Sequence, residues 1–310
     1  MPWVVGIDEA GYGPNLGPLV QSAVAVRLPD DDPAGWDALK AVVRRAGGRW
    51  GRDARLVIDD SKRVYHGTNA LGKLEHGVLS WFGLAGLTLA DLIARIGLPD
   101  ALPDTHLEGW FVPHAKLERH TKASPQPDFA AHGVELGPVA ANVVHPPRFN
   151  RVVNASGSKA VVLSLGLVEL LKHVLAHTPG DDELRILCDK QGGRNYYAPL
   201  LQEAFPDGFV CAEVERMEES RYRVELLPRR VVIEFKPRAD AGSVAVALAS
   251  MTCKYVRELC MGQFNDYWAA RVPGLTPTAG YPVDAARFIA AIRSAMTAEG
   301  LSEEQVWRVK

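Results

Sequence analysis

The run Val4-Val5-Gly6-Ile7-Asp8-Glu9-Ala10-Gly11-Tyr12-Gly13-Pro14-Asn15-Leu16-Gly17-Pro18 carries apolar, β-branched residues straight into two adjacent carboxylates and then into glycines and prolines. Trp3 to Ile7 reads as a buried strand, because it is apolar on both faces and stops at turn residues. Asp8 and Glu9 then stand where that strand emerges, and the carboxyl end of a strand is where α/β sheets build their sites. Successive strand residues point to opposite faces, so the two acids share a face only if the strand twists or ends there. Two carboxylates this close repel and lose hydration, and a divalent cation is the natural compensation. Taken alone, an Asp-Glu pair at a strand end is most often a solvated turn. Nucleotide binding fits less well. Gly11, Gly13 and Gly17 give G-x-G-x-x-x-G, one residue longer than the dinucleotide-binding spacing. Pro14 and Pro18 interrupt the helix such a site needs for its phosphate, and no G-x-x-x-x-G-K-[ST] occurs in the chain.

Composition narrows the classes. Of 310 residues, 47% are hydrophobic and 23% charged, the balance of a globular protein with one large domain or two small ones. A net charge of −2 excludes a global basic field, so any nucleic-acid partner needs a local patch. Cys188, Cys211, Cys253 and Cys260 lack C-x-x-C spacing and read as core residues of a reducing compartment. A strand begins almost at once, with no basic segment and apolar core before it, so no signal peptide is predicted. The apolar run Ala160 to Leu171 carries Glu169 and reads as too short to cross a bilayer. The expectation is a soluble, cytoplasmic protein without a membrane partner.

Along the chain, Leu19 to Leu28 alternates and is expected to pair with the first strand as a hairpin. Pro33 to Ala46 reads as a helix stopped by Gly47-Gly48. Leu56-Val57-Ile58 leads into Asp59-Asp60-Ser61-Lys62-Arg63, a polar loop with the chemistry of a helix N-cap. Residues 77–137 are broken by prolines and glycines, with a short helix over Leu87 to Ile96, and read as an insertion, subdomain or lid. Ala140 to His145 is a strand and Lys159 to Ala176 a strong helix. His173 and His177 stand four apart on it, without the glutamate of an H-E-x-x-H site. Leu184 to Cys188 is a second buried strand ending in Asp189. A helix followed by a strand makes a right-handed crossover, which can lay it parallel to the first strand with Asp189 next to Asp8. A helix over Tyr197 to Ala204 and strands over Phe209 to Glu215 and Arg229 to Phe235 follow. Ala239-Asp240-Ala241-Gly242 opens a buried helix, Ser243 to Met261, carrying Lys254, Arg257 and Glu258. Gly280-Tyr281-Pro282 precedes an amphipathic helix, Asp284 to Ala298.

In this order G-I-D-E-A-G-Y-G-P-N-L-G-P-L-V, D-D-S-K-R, a strand ending L-C-D, R-A-D-A and A-S-M-T-C-K-Y-V-R-E-L-C-M resemble the type 2 ribonucleases H, ribonuclease HII and its relative ribonuclease HIII. The resemblance covers most of the chain apart from residues 77–137. It implies an α/β, ribonuclease H-like fold, a mixed central sheet flanked by helices. A single catalytic domain would span 1–310, with the 77–137 insertion and a C-terminal helical segment over 275–310. The catalytic and metal-holding acids would be Asp8, Glu9, Asp189 and Glu258; ribonuclease HII has aspartate at the last place, and glutamate there is more like ribonuclease HIII. Ser61 and Lys62 would contact substrate phosphate, and Tyr281 would stack at the ribose. One departure matters. Where ribonuclease HII has Gly-Arg/Lys-Gly and ribonuclease HIII Gly-Thr-Gly, this chain has Gly11-Tyr12-Gly13. The glycines still allow backbone amides to approach a phosphate and a ribose 2′-hydroxyl. The basic side chain is lost, which leaves open whether a lone ribonucleotide in DNA suffices or a run of RNA is needed.

The implied activity is metal-dependent endonucleolytic cleavage of the RNA strand of RNA–DNA hybrids, leaving 3′-hydroxyl and 5′-phosphate ends. In-line hydrolysis of this kind uses two Mg²⁺ or Mn²⁺ ions roughly 3.5–4 Å apart. Carboxylates suit such hard cations. Asp8 would bridge both ions, Asp189 and Glu258 would flank the nucleophile and leaving-group positions, and Glu9 would hold one ion near the scissile ribose. Lys62, Arg63, Arg194, Arg238 and Lys254 are candidates for a basic rim against phosphates. The chain is expected to be a monomer. Two rivals remain: a nuclease of the same fold acting on structured DNA, motivated by Tyr12 and the insertion, and a non-catalytic hybrid-binding protein. Four clustered acids facing phosphate speak against the second.

Overall fold

A computed structural model of the chain describes residues 1–47, 53–191, 193–239 and 242–309. The N-terminal third holds β1 (Trp3–Ala10), β2 (Leu19–Arg27), the short β3 (Val43–Arg44) and β4 (Leu56–Val57), then α1 (Ser61–Val64), α2 (Ala70–Phe82), α3 (Leu89–Ile96) and α4 (Ala101–His106). The middle holds β5 (Glu135–Val144), α5 (Pro146–Ser156), α6 (Lys159–His177), β6 (Leu184–Asp189), α7 (Ala198–Ala204), β7 (Phe209–Glu215), β8 (Ser220–Leu226) and β9 (Arg229–Lys236). The chain ends in α8 (Val244–Arg271), α9 (Pro282–Ala298) and α10 (Glu303–Val306).

Seven strands form one sheet in the order β5-β2-β1-β6-β9-β8-β7. β1 pairs antiparallel with β2 and parallel with β6, and β6 pairs parallel with β9, so the sheet is mixed and β1 and β6 lie side by side at its centre. Helices cover both faces of that centre. Trp3, Val5 and Ile7 of β1 point into a core with Leu167, Leu171 and Val174 of α6, while Val4 points the other way, into the core built with α8. The period of two in strand side chains thus distributes β1 between two layers.

α8 lies flat on β1 and β2 because its first turns are nearly all small: Ala245, Ala247, Ala249 and Ser250 are buried there. Gly6 is the matching gap in the strand. A Cβ built on Gly6 would stand 2.1 Å from the Ala245 carbonyl carbon, so backbone meets backbone. Ser243 caps the helix, its side chain accepting from the Ala245 amide. The helix runs on to Arg271, well past the predicted end at Met261, because Phe264 and Trp268 find partners in Phe288 and Ile292 of α9.

Several expectations need correction. β1 does not end at Ile7; it continues through Ala10, with Asp8 opposite Ser22 and Glu9 opposite Gln21, since β2 supplies partners for the whole length. Pro33 to Ala46 is not a helix. Gly35 takes a φ of 78°, the Asp32 carboxylate accepts from the amides of Gly35 and Ala38, and the segment runs in turns into β3. Its predicted stop includes Gly48, which lies outside the described residues, as do Gly192, Asp240 and Ala241 of the later motifs. β8, for which no strand is predicted above, pairs antiparallel with both β7 and β9. The apolar run in α6 is part of a 19-residue helix long and apolar enough to cross a membrane by length and composition; here Leu167, Leu170 and Leu171 pack it onto the sheet. Within residues 77–137, Trp81, Leu92, Ile93 and Phe129 join the same core as Val24, Ala247 and Leu248. The buried Glu75 of α2 ties this segment to α8, accepting from the amides of His120 and Thr121 at 2.9 Å and from the Tyr255 hydroxyl at 3.1 Å.

Candidate active site

The parallel register of β1 and β6 sets Ile7 opposite Cys188, so the next residues, Asp8 and Asp189, end up side by side on adjacent strands. Ile7 and Cys188 both face the α6 core, and alternation turns Asp8 and Asp189 to the α8 side. Glu9 follows Asp8, its amide donating to the Asp8 carboxylate at 2.7 Å. Burial, then the charges of Asp8 and Asp189, push the Glu9 carboxyl up to about 8, against a pull from Lys62. Lys62 and Asp189 are therefore electrostatic neighbours of Glu9, although they lie far from it in sequence. The thiols of Cys188 and Cys253 are pushed up by burial and by the same acids, which leaves them protonated core groups. The Asp189 carboxylate also accepts from the Ala239 amide at 3.3 Å.

Glu258 sits on α8 in a different company. One carboxylate oxygen accepts from Lys254 at 2.8 Å and from Arg257 at 3.1 Å, and the other from the Tyr65 hydroxyl at 2.9 Å. Lys254 also lies over the Tyr65 ring, 4.6 Å from its centroid. Burial, then the Glu258 charge and hydrogen bond, raise the Tyr65 hydroxyl above its ordinary range, so it stays a donor. Arg257 reaches on to the Ala279 carbonyl at 2.9 Å.

The Asp59–Arg63 loop divides its roles. Asp60 is the N-cap of α1, accepting from the Lys62 amide at 2.8 Å, as its residue type predicts. Asp59 is fully buried and paired with Arg63 at 3.0 Å, so this arginine is bound to a structural acid. Ser61 is buried, its hydroxyl bonded to that of Ser250 on α8 at 3.0 Å. Lys62 is exposed, directed at the acids only through its charge.

The loop after the acids is clamped from the C-terminus. Gly11 has a φ of 92°, and a Cβ there would meet the Arg257 Nε at 2.5 Å, so only glycine fits. The buried Arg308 donates to the Gly11 carbonyl at 2.6 Å and to that of Pro14, while its own carbonyl accepts from the Asn15 side chain at 2.9 Å. The Asn15 amide donates to the Gly280 carbonyl at 2.7 Å. Tyr281, exposed at the start of α9, stands beside Gly13: its ring lies 3.9 Å from where a Gly13 Cβ would be. Tyr12 is half-buried, packed among Leu19, Phe149, Val162 and Leu163.

The structure thus brings together Asp8, Glu9, Asp189 and Lys62, and separately Gly13 and Tyr281. It ties Glu258 to cations of its own helix, and it turns Ser61 inward. Arg238 is exposed, and Arg194 is bonded to Ser164 of α6 at 2.8 Å. Sequence reasoning missed Tyr65, Lys159 and Arg308, whose partners are 297 to 147 residues away and leave no local pattern. For a hard divalent cation the donor chemistry fits: three carboxylates, of which Glu9 is pushed up by burial and then by the charges of the other two. Among the described residues no three acid, His or Cys side chains stand in a ready ligating array. His173 and His177 stack face to face, with ring centroids 4.0 Å apart.

No protein-family model and no curated protein matches the chain. Solved structures similar to it include ribonucleases HII and HIII. The ribonuclease H2 of Pyrococcus horikoshii OT3 is 15% identical, with 98% of this chain and 92% of that one covered and a TM-score of 0.48. Ribonuclease HII of Archaeoglobus fulgidus, in a complex with PCNA, is 16% identical over 99% of this chain and 94% of that one, TM-score 0.46. Bst-RNase HIII, in complex with Mn²⁺, is 17% identical over 99% of this chain and 66% of that one, TM-score 0.46. The chain therefore spans about two thirds of the length of that ribonuclease HIII.

Proposed function

We propose that this chain is a divalent-metal-dependent endoribonuclease of the ribonuclease HII and HIII kind, hydrolysing the RNA strand of RNA–DNA hybrids to 3′-hydroxyl and 5′-phosphate ends. The observation that carries the reading is the meeting of Asp8, Glu9 and Asp189 at the carboxyl ends of β1 and β6, with Glu9 driven up to about 8. A fold gains no stability from gathering acids in this way. The arrangement makes sense where cations and a phosphodiester complete it.

Asp8, Glu9 and Asp189 would hold Mg²⁺ or Mn²⁺, which supplies Lewis-acid activation of water and of the scissile phosphate. Glu9 would release its proton as a cation binds, since the opposite charge stabilises its ionised form. Glu258 would join the set by giving up its Lys254 partner for an ion, which would free that ammonium to face phosphate. Lys62 stands on the acid side of the Asp60-capped turn and would meet substrate backbone. The exposed ring of Tyr281 beside Gly13 offers a stacking surface for a ribose or base at the Gly11–Gly13 backbone.

The test uses two end-labelled duplexes, an RNA–DNA hybrid and a DNA duplex holding one ribonucleotide, with Mg²⁺ and Mn²⁺ in turn. Wild type runs beside Asp8→Asn. Cleavage of both, lost in the variant, supports an activity like that of ribonuclease HII. Cleavage of the hybrid alone supports one nearer ribonuclease HIII. Binding without cleavage in either metal would sink the enzyme reading in favour of a hybrid-binding protein, and no interaction with either duplex would point to another substrate, such as structured DNA.

A further inference from the structure

Tyr12 does not stand alone on its loop. Its ring packs against the cluster formed by Leu19, Phe149 and Val162. Over the ring lies the Lys159 ammonium, 4.7 Å from the centroid. Lys159 is the first residue of α6, directly after the cap Ser158, where a positive charge opposes the helix dipole. No acidic residue occupies that first turn. Among the described residues no carboxylate pairs with Lys159, so the ring face is what holds the ammonium in place.

A second cation stands nearby. Arg194 donates to Ser164, on the same helix, at 2.8 Å and lies 5.7 Å from the centroid of Tyr197, again without a carboxylate partner among the described residues. The Tyr12 hydroxyl is raised first by burial and then by Glu9, and is lowered by Arg194, so Glu9 and Arg194 are both electrostatic neighbours of Tyr12. Two cations without protein counter-charge, beside an acidic cluster, suit an anion that spans both: a phosphate of a nucleic-acid backbone whose neighbour is at the acids.

We infer that Tyr12 is a platform for Lys159, and that Lys159, with Arg194 beside it, binds a backbone phosphate of the duplex on the α6 side of the acidic cluster. The inference rests on the nuclease reading above and gives its loop a charge that the loop itself does not carry. It makes Lys159 a substrate-positioning contact supplied by α6.

The experiment measures binding of the RNA–DNA hybrid and of the single-ribonucleotide duplex to the intact protein in Ca²⁺, across about 50 to 200 mM salt. Wild type is compared with Lys159→Gln, Tyr12→Leu and Tyr12→Phe, and with Lys172→Gln, further along α6, as a control. Loss of one phosphate contact lowers the slope of log K against log salt by about 0.7 to 0.9. Lys159→Gln and Tyr12→Leu are expected to show that drop, and Tyr12→Phe, which keeps the ring face, to restore the slope. Lys172→Gln should match wild type. In Mg²⁺, Lys159→Gln should raise KM several-fold and leave kcat within about twofold, the division expected of uniform binding. Wild-type binding with an unchanged slope in Lys159→Gln overturns this inference and leaves the nuclease reading standing. Failure of wild type to bind either duplex overturns both, and it is seen before any variant is compared.

Discussion

Replacing Glu9 by glutamine should stabilise the metal-free protein, and by an amount that depends on pH. Burial and the charges of Asp8 and Asp189 raise the Glu9 carboxyl from 4.5 to about 8. The folded state therefore keeps a proton that the unfolded chain releases. With the folded value raised, the stability this proton provides is fully present below about 4.5, is lost as pH rises towards 8 and stays lost above it. From 4.5 to pH 7 is about 2.5 units, and at about 1.4 kcal/mol per unit the loss comes to about 3 kcal/mol. Glutamine does not titrate. The Glu9→Gln protein should match wild type near pH 4.5 and exceed it by roughly 1 to 3 kcal/mol at pH 7. Urea unfolding followed by tryptophan fluorescence, in chelator, at pH 5, 6, 7 and 8 measures the gap. Mg²⁺ or Mn²⁺ should then close it from the wild-type side, since a ligand at about 100 times its Kd stabilises by about 2.7 kcal/mol. A gap that stays constant with pH, or equal stabilisation of both proteins by the metal, would refute the reasoning. The same variant should lose nearly all cleavage, although it is the more stable protein.

Three further outcomes are expected. Gly6→Ala forces a Cβ into the α8 backbone 2.1 Å away and should cost roughly 3 kcal/mol or more in urea unfolding, whereas Gly13→Ala, with nothing nearer than 3.9 Å, should leave stability within about 0.5 kcal/mol. Arg308→Lys removes the fork that holds Gly11 and Pro14 and should speed hydrogen exchange at the Gly11–Leu16 amides while the β1 and β6 amides keep their protection; unchanged loop exchange would dismiss Arg308 as a clamp. Tyr65→Phe deletes one donor to Glu258 and should cost about 1 kcal/mol of stability, with the metal requirement for cleavage shifted to lower concentration as Glu258 is freed; identical metal titrations for variant and wild type would separate Tyr65 from the site.

The amino-acid order by itself determined the strand that carries Asp8 and Glu9, the strand that ends at Asp189, and the long buried helix that carries Glu258. Each is written in a local pattern: β-branched runs, turn residues, and a stretch of small residues capped by Ser243. Local patterns also misled. Pro33 to Ala46 has helical composition, but Asp32 and the left-handed Gly35 hold it in turns, and Ile7 looked like a strand end until β2 supplied partners as far as Ala10. The rest belongs to tertiary structure. The register of β1 against β6 made neighbours of Asp8 and Asp189, and burial among them gave Glu9 its raised affinity for a proton. Tyr65 at Glu258, Lys159 over Tyr12 and Arg308 under Gly11 are pairs that no periodicity joins, because periodicity reports which face of one element is buried and carries nothing about which distant element covers it. Charge and burial are properties of the assembled neighbourhood, so the identity of the acids was legible in the chain, while the company each acid keeps was decided only when the chain folded.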